Sequence, residues 1–269
     1  EGSFVLVKLG YLDLSIAWFL LVGVTLLSIL MQLDVAKKVL IAALRMVLQL
    51  LLVGQILKSV FLLQSTWALA GVILVMTCFA AREIIVRQDY HFLKRSTNLV
   101  GPVALAISTL VITFIALRLI IGITPWYRPQ YLIPIMGMAL GNTMNGIAIA
   151  LHRFLGQVDQ KRGEIMERLA LGETPALALL DIRRESINAG IIPMINMMSV
   201  AGIVALPGMM TGQILSGTSP VEAVKYQIMI ILLVATSIGF GTMMVIHFTS
   251  KALFDQRERL CWERLKPRG

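Results

Sequence analysis

Long uncharged apolar runs, divided by short clusters of charge, set the pattern of this chain. Residues 14–33 carry no charged side chain over 20 positions. Further runs cover 39–57 (interrupted only by Arg45), 59–81, 96–117, 130–151 and 226–250. A hydrocarbon core about 30 Å thick needs roughly 20 helical residues to cross it, so each run predicts one span. Residues 186–221 are uncharged over 36 positions, more than one crossing needs. That run is expected to cross once, to about Leu206, and to break at Pro207-Gly208. The runs lack the alternation of barrel strands, and lipid offers no partner to an open backbone, so the spans are read as helices. The expected fold is all-α: a polytopic membrane protein with about seven transmembrane helices, forming a single transmembrane domain over 1–269.

Composition agrees with that class. The chain is 57% hydrophobic and 14% charged, with a mean hydropathy of +0.82; soluble domains carry about twice the charge. A net charge of +9 invites a nucleic-acid reading, but the cations sit between the apolar runs rather than in one patch, and no nucleic acid is expected. Their distribution orients the stack instead. The connections after runs one, three, five and seven hold 18 Lys and Arg; the other side holds Lys8, Lys58, Arg118, Arg128 and Lys225. The reading is an N-terminus outside and a C-terminus inside, which needs an odd number of spans. Cys78 and Cys261 form no disulfide framework, the three histidines have no metal-ligand spacing, and the first run is too long for a signal peptide.

The one sizeable soluble segment, 152–185, falls on the inner side. Residues 159–171 read as an amphipathic helix with Ile165, Met166 and Leu169 on one side. Gly172 then acts as its C-terminal cap, Thr174 as the N-cap of a second helix, and Pro175 as that helix's first residue, where a missing N–H costs nothing. Ala176 to Arg184 continues the second helix. The plain alternative is a connector that only links two spans.

The run Glu167-Arg-Leu-Ala-Leu-Gly-Glu-Thr-Pro-Ala-Leu-Ala-Leu resembles the coupling loop of ABC-transporter permeases, Glu-Ala-Ala followed after three residues by Gly. Glu167 stands one residue closer to Gly172 than that pattern has it, and the downstream Leu-Pro is absent. Two further segments are similar to the FetB-type permease family, which includes bacterial iron-export permeases and plant aluminium-tolerance permeases. They are Pro134-Ile-Met-Gly-Met-Ala-Leu-Gly-Asn-Thr-Met, and Gly202-Ile-Val-Ala-Leu-Pro-Gly-Met-Met-Thr-Gly with the following Ser219-Pro-Val-Glu-Ala-Val-Lys-Tyr-Gln-Ile-Met. The likeness runs from Arg45–Gln49 to Met229. It implies the membrane subunit of an exporter in the bacterial inner membrane, a homodimer served by a separate cytoplasmic ABC ATPase. In that family Ile165, Met166, Glu167, Leu169, Gly172, Thr174 and Pro175 would seat on the ATPase. ATP would be bound there, since this chain has no Gly-x4-Gly-Lys-Ser/Thr phosphate loop and is not read as an enzyme.

Polar residues within the runs are the candidates for a transport path. Arg45 and Gln49 are four apart and share a helix face. An arginine within a span costs at least about 2.5–3.5 kcal/mol, so it either faces a partner or an aqueous path or snorkels to the interface. Asn142, Asn145 and Asn196 need partners in lipid and either join helices or line a path; Glu222, with Glu83 and Asp89, supplies the carboxylates nearest a route. Gly137 and Gly141 form a small-xxx-small pair read as helix packing, with Pro207 and Gly208 at the break. Clustered methionines (Met136, Met138, Met144; Met194, Met197, Met198, Met209, Met210) would suit soft ions, but thioethers also fill apolar gaps. Two other readings stand beside iron export: an ABC permease for a nucleotide-sugar or another metal, and a secondary transporter driven by an ion gradient. The latter wants paired acids near the midplane, and no carboxylate lies inside an uncharged run.

Overall fold

The computed structural model describes residues 10–33, 35–63, 65–93, 95–255 and 257–267. Lys8, Lys94 and Arg268 of the charge reading lie outside them. Helices α1 (Tyr11–Leu30) and α2 (Ala36–Leu63) form a hairpin, followed by α3 (Thr66–Val86). A short strand β1 (Tyr90–Phe92) and a single turn α4 (Arg95–Asn98) lead to α5 (Val100–Ile115), which runs on as a π-helical turn, Ala116–Ile120. Next come α6 (Pro129–Gln160), α7 (Arg162–Ala170), α8 (Pro175–Ala178), α9 (Leu180–Val200), α10 (Gly208–Leu215) and α11 (Pro220–Ala252). The chain closes with a 3-10 turn, Trp262–Arg264, and strand β2 (Leu265–Pro267).

Among the described residues six helices are long and apolar enough to cross a membrane: α1, α2, α3, α5 with its π turn, α6 and α11. The run expected to give the remaining span behaves differently. In α9 the first six residues include Asp181, Arg183, Arg184 and Glu185, and the helix stops at Val200 rather than near Leu206. The uncharged stretch from Ser186 is then about 22 Å long at 1.5 Å per residue, short of the hydrocarbon thickness. Residues 201–206 turn, with Gly202 at φ +85° and its N–H donating to Ala205 O at 2.9 Å. Pro207 then serves as the N-cap of α10, so the break expected at Pro207-Gly208 falls just after this turn.

Helix α6 is the centre of the bundle, packed against α3, α5, α9 and α11. Three glycines permit that. A Cβ placed on Gly190 of α9 would lie 2.6 Å from Gly146 O and 2.9 Å from Ala150 Cβ on α6; one on Gly241 of α11 would lie 2.8 Å from Thr143 Cγ2. Gly146 in turn faces Ile238 and Gly190 O. Without side chains at these three points the backbones of α6, α9 and α11 approach closely, the usual device for joining helices in lipid. Gly137 and Gly141 were the pair expected to do this. Gly137 meets only Met76 Cε, at 3.2 Å, and Gly141 meets nothing within 4 Å. Around the crossing, Thr143 Oγ1 donates to Ser237 Oγ at 2.8 Å, while Ser108, Thr109 and Thr242 return their hydroxyls to carbonyls of their own helices. In contrast, α1 and α2 bury little of themselves and present leucines, isoleucines and valines outward.

At one end of the bundle the C-terminal tail folds back. Strand β2 pairs antiparallel with β1, Phe92 opposite Leu265, and Leu93 N donates to Arg264 O at 2.8 Å. Leu265 and Phe92 are both buried. This two-stranded ladder is the exception to the expected all-α fold.

Candidate coupling site

The loop between α6 and α9 is helical and tightly rooted. Backbone at Lys161 leaves helical geometry (φ −100°, ψ 20°), so the helix expected over 159–171 is divided between the end of α6 and α7. Gly172 follows at φ +91°. Gly172 N donates to Leu169 O and Glu173 N to Arg168 O, both at 3.1 Å, which is a Schellman closure around the predicted glycine cap. Arg168 and Glu173, the two residues that the closure brings together, form an ion pair at 2.8 Å. Arg168 also reaches Asp181 of α9 at 3.7 Å and Ala178 O at 3.4 Å, so one guanidinium ties the turn, α8 and α9. Thr174 is the N-cap of α8 by backbone geometry but makes no side-chain cap bond, and Pro175 is the first residue, as the sequence predicts. The second helix is interrupted at Leu179 (φ −100°, ψ 3°) and then runs directly into α9.

Packing corrects the assignment of faces. Ile165 is 1% exposed; it lies in the molecule's own core with Phe154, Val158, Ala178, Leu179 and Ile182, and Leu169 packs partly against the same cluster. These two residues hold the loop down; Ile165 leaves no surface for a partner, and Leu169 is half-buried. The outward residues of the segment are Met166, Glu167, Gly172 and Thr174, with Leu171 and Leu177, which the sequence reading did not single out. An amphipathic pattern shows that one face is apolar, not whether that face meets the same chain or another.

Neighbouring elements brace the loop. Tyr90 Oη donates to Asp159 Oδ2 at 2.5 Å, and this bond, with desolvation and the nearby negative charge, raises the phenol's pKa above its ordinary value. Gln157 and Arg153 of α6 share the Glu185 carboxylate of α9. Arg162, the first residue of α7, lies over the Trp262 ring at 5.5 Å, and Trp262 meets Tyr90 edge-on. The tail thus touches both the start of α7 and the β1 loop.

The polar residues of the spans fall into separate groups. Arg45 pairs with Glu83 of α3 at 3.5 Å, and Arg87 donates to Asn145 of α6 at 2.7 Å. Gln49, one turn beyond Arg45, is exposed. Asn142 returns its amide to Met138 O, and Asn196 is exposed on α9. Glu222 does not join them: it sits in the first turn of α11, paired with Lys225 at 2.7 Å. Asp89 pairs with His152 at 3.6 Å. Among the described residues no three His, Cys, Asp or Glu side chains cluster as a metal site.

The model of the uncharacterised protein family UPF0014 matches residues 11–254. The chain belongs to this family. Among UPF0014 relatives it is 38% identical over 259 residues to the UPF0014 membrane protein slr1647 of Synechocystis, covering 95% of this chain and 98% of that one. It is 30% identical over 263 residues to the probable iron export permease protein FetB of Escherichia coli, covering 94% and 96%. A shorter stretch of 104 residues is 33% identical to the protein ALUMINUM SENSITIVE 3 of Arabidopsis thaliana, 39% of this chain and 38% of that one. No solved structure matches. The resemblance to FetB-type permeases drawn from the segments at 134–144 and 202–229 therefore holds, and this UPF0014 chain is a multi-pass membrane protein.

Proposed function

We propose that this chain is the membrane subunit of an ABC exporter, and that α7 and α8 seat on a separate cytoplasmic ATPase that binds and hydrolyses the ATP. The observation that carries the reading is the rooting of the loop. Ile165 and Leu179 fix it to the core, Arg168 locks its turn, and its two ends are continuous with α6 and α9. Force applied to Met166, Leu171 and Leu177 would pass into those helices rather than be lost in a slack linker. A permease homodimer in the bacterial inner membrane completes the assembly, with the poorly buried α1–α2 hairpin facing lipid or the second copy.

The basic end of the bundle is assigned to the cytoplasm, with the N-terminus outside and the C-terminus inside. The level of Arg153 and Glu185 is taken as the inner boundary. From Glu185 to Val200, α9 is about 24 Å long at 1.5 Å per residue, and with the closed turn after it this short helix is proposed as the seventh crossing. Iron is proposed as the cargo by kinship with the probable iron export permease. Arg45–Glu83 and Arg87–Asn145 mark the polar surface along which it would move. Cells lacking the protein should accumulate iron and become sensitive to peroxide under iron load; unchanged iron with altered handling of another solute would reassign the cargo.

A further inference from the structure

A cavity of about 340 Å³ lies between the coupling loop and the last turns of α11. Its polar lining includes Thr174, Arg183, His247, Ser250 and Lys251, with Phe254 as an apolar wall. Arg183 is the unusual member. Its Nε is shut off from solvent without a hydrogen-bond partner, and no described residue forms an ion pair with its guanidinium. A buried guanidinium nitrogen is ordinarily satisfied, because a desolvated polar atom without a partner is costly. Lys251, on the facing helix, is likewise without a partner among the described residues. The Thr174 hydroxyl makes no cap bond.

Two carboxylates also touch the cavity, and neither answers Arg183. Asp255 is taken by the backbone N–H groups of Arg257 and Arg259 and by Arg259 Nε, all at 2.9 Å. Glu258 is exposed at the rim. Ser250 donates to His247 O at 2.8 Å, so the free groups left facing the space are the two cations, the Thr174 hydroxyl and the His247 imidazole.

Depth narrows the ligand. Arg183 lies two residues before Glu185, at the level assigned to the inner membrane boundary, and Lys251 is in the last turn of α11. We infer that this cavity binds a phosphate-bearing anion, the headgroup of an anionic phospholipid or free phosphate, held by Arg183 and Lys251. Basic pockets between helices at the cytoplasmic boundary suit such headgroups. Because Thr174, Pro175 and Leu179 form another wall, an occupant would brace the coupling loop against α11. The inference rests on the membrane placement proposed above and on neither the cargo nor the ATPase, so its test stands apart from theirs.

The full chain, purified in detergent and stripped of lipid, is titrated with phosphatidylglycerol, with phosphatidylcholine, and with inorganic phosphate against chloride at equal ionic strength, following thermal unfolding. Phosphatidylglycerol should raise the midpoint and phosphatidylcholine should not. Arg183→Gln and Lys251→Gln should each need about tenfold more lipid, the loss of one charge-assisted hydrogen bond. Arg184→Gln, outside the cavity, should respond like the parent. A matching response to inorganic phosphate identifies free phosphate as the ligand. If Arg183→Gln fails to fold, Lys251→Gln, at the exposed end of α11, carries the test. No shift with either anion, equal response of the two variants and the parent, or an equal loss in Arg184→Gln overturns the proposal.

Discussion

Gly190 of α9 and Gly146 of α6 meet so closely that a Cβ on the first would fall 2.6 Å from the carbonyl oxygen of the second. The crossing of α6, α9 and α11 depends on the absence of that atom. Gly190→Ala should therefore destabilise the bundle by about 1–3 kcal/mol, the usual cost of overpacking. Gly141→Ala, with nothing within 4 Å, should be neutral or gain up to about 1 kcal/mol from lower backbone entropy in the unfolded chain. Thermal unfolding in detergent distinguishes the two; equal losses would mean that the glycine contacts are not what sets the crossing.

Gly172 is held at φ +91° by the Schellman closure. Gly172→Val should strain this turn by about 1–2 kcal/mol while leaving the spans inserted. Faster hydrogen exchange confined to 162–178 is the expected result. Exchange identical to the parent would show that the turn does not need a left-handed residue.

The tail has its own pH dependence. Backbone N–H donation from Arg259 to Asp255, reinforced by the Arg259 side chain and Arg257 N–H, holds this carboxyl below its ordinary value despite some desolvation. A lowered folded pKa means that the contribution is full above the unfolded value and disappears as pH falls through the folded one. Exchange protection of 262–266 should thus persist through the ordinary carboxylate range and fail only below it. Asp255→Asn should lose that protection at neutral pH as well. An unchanged profile in Asp255→Asn would remove Asp255 as the anchor.

Sidedness can be read with single cysteines in a background where Cys78 and Cys261 are replaced by serine. A cysteine at Thr218 should react with an impermeant reagent on intact cells, and one at Gln160 only after lysis. The opposite pattern would invert the stack.

Much of this architecture was legible in the chain. Six of the apolar runs became long helices, because a run of about 20 apolar residues has few other solutions. Gly172, Thr174 and Pro175 were legible too, since a cap and a helix start depend on local backbone chemistry. What escaped was set by contacts distant in sequence. Spacing favoured Gly137 and Gly141, yet the glycines that matter are chosen by three helices meeting at Gly146, Gly190 and Gly241. The pairing of β1 with β2 joins segments some 170 residues apart, and neither three-residue strand carries a pattern of its own. Ile165 read as a contact for a partner because periodicity gives a face but not what covers it.

The loop from α7 to α8 is proposed to receive an ATPase, and its exposed apolar groups are Met166, Leu171 and Leu177. The most direct measurement is ATP hydrolysis by the complex purified from host membranes through this chain, compared with Met166→Asp and Leu177→Asp. Neither substitution touches the buried root at Ile165, so both variants should insert and fold. The parent should bring down a protein with a nucleotide-binding phosphate loop and its ATPase activity, and each variant should lose both. An ATPase retained in full by both variants, or absent from the parent complex, would contradict the proposal.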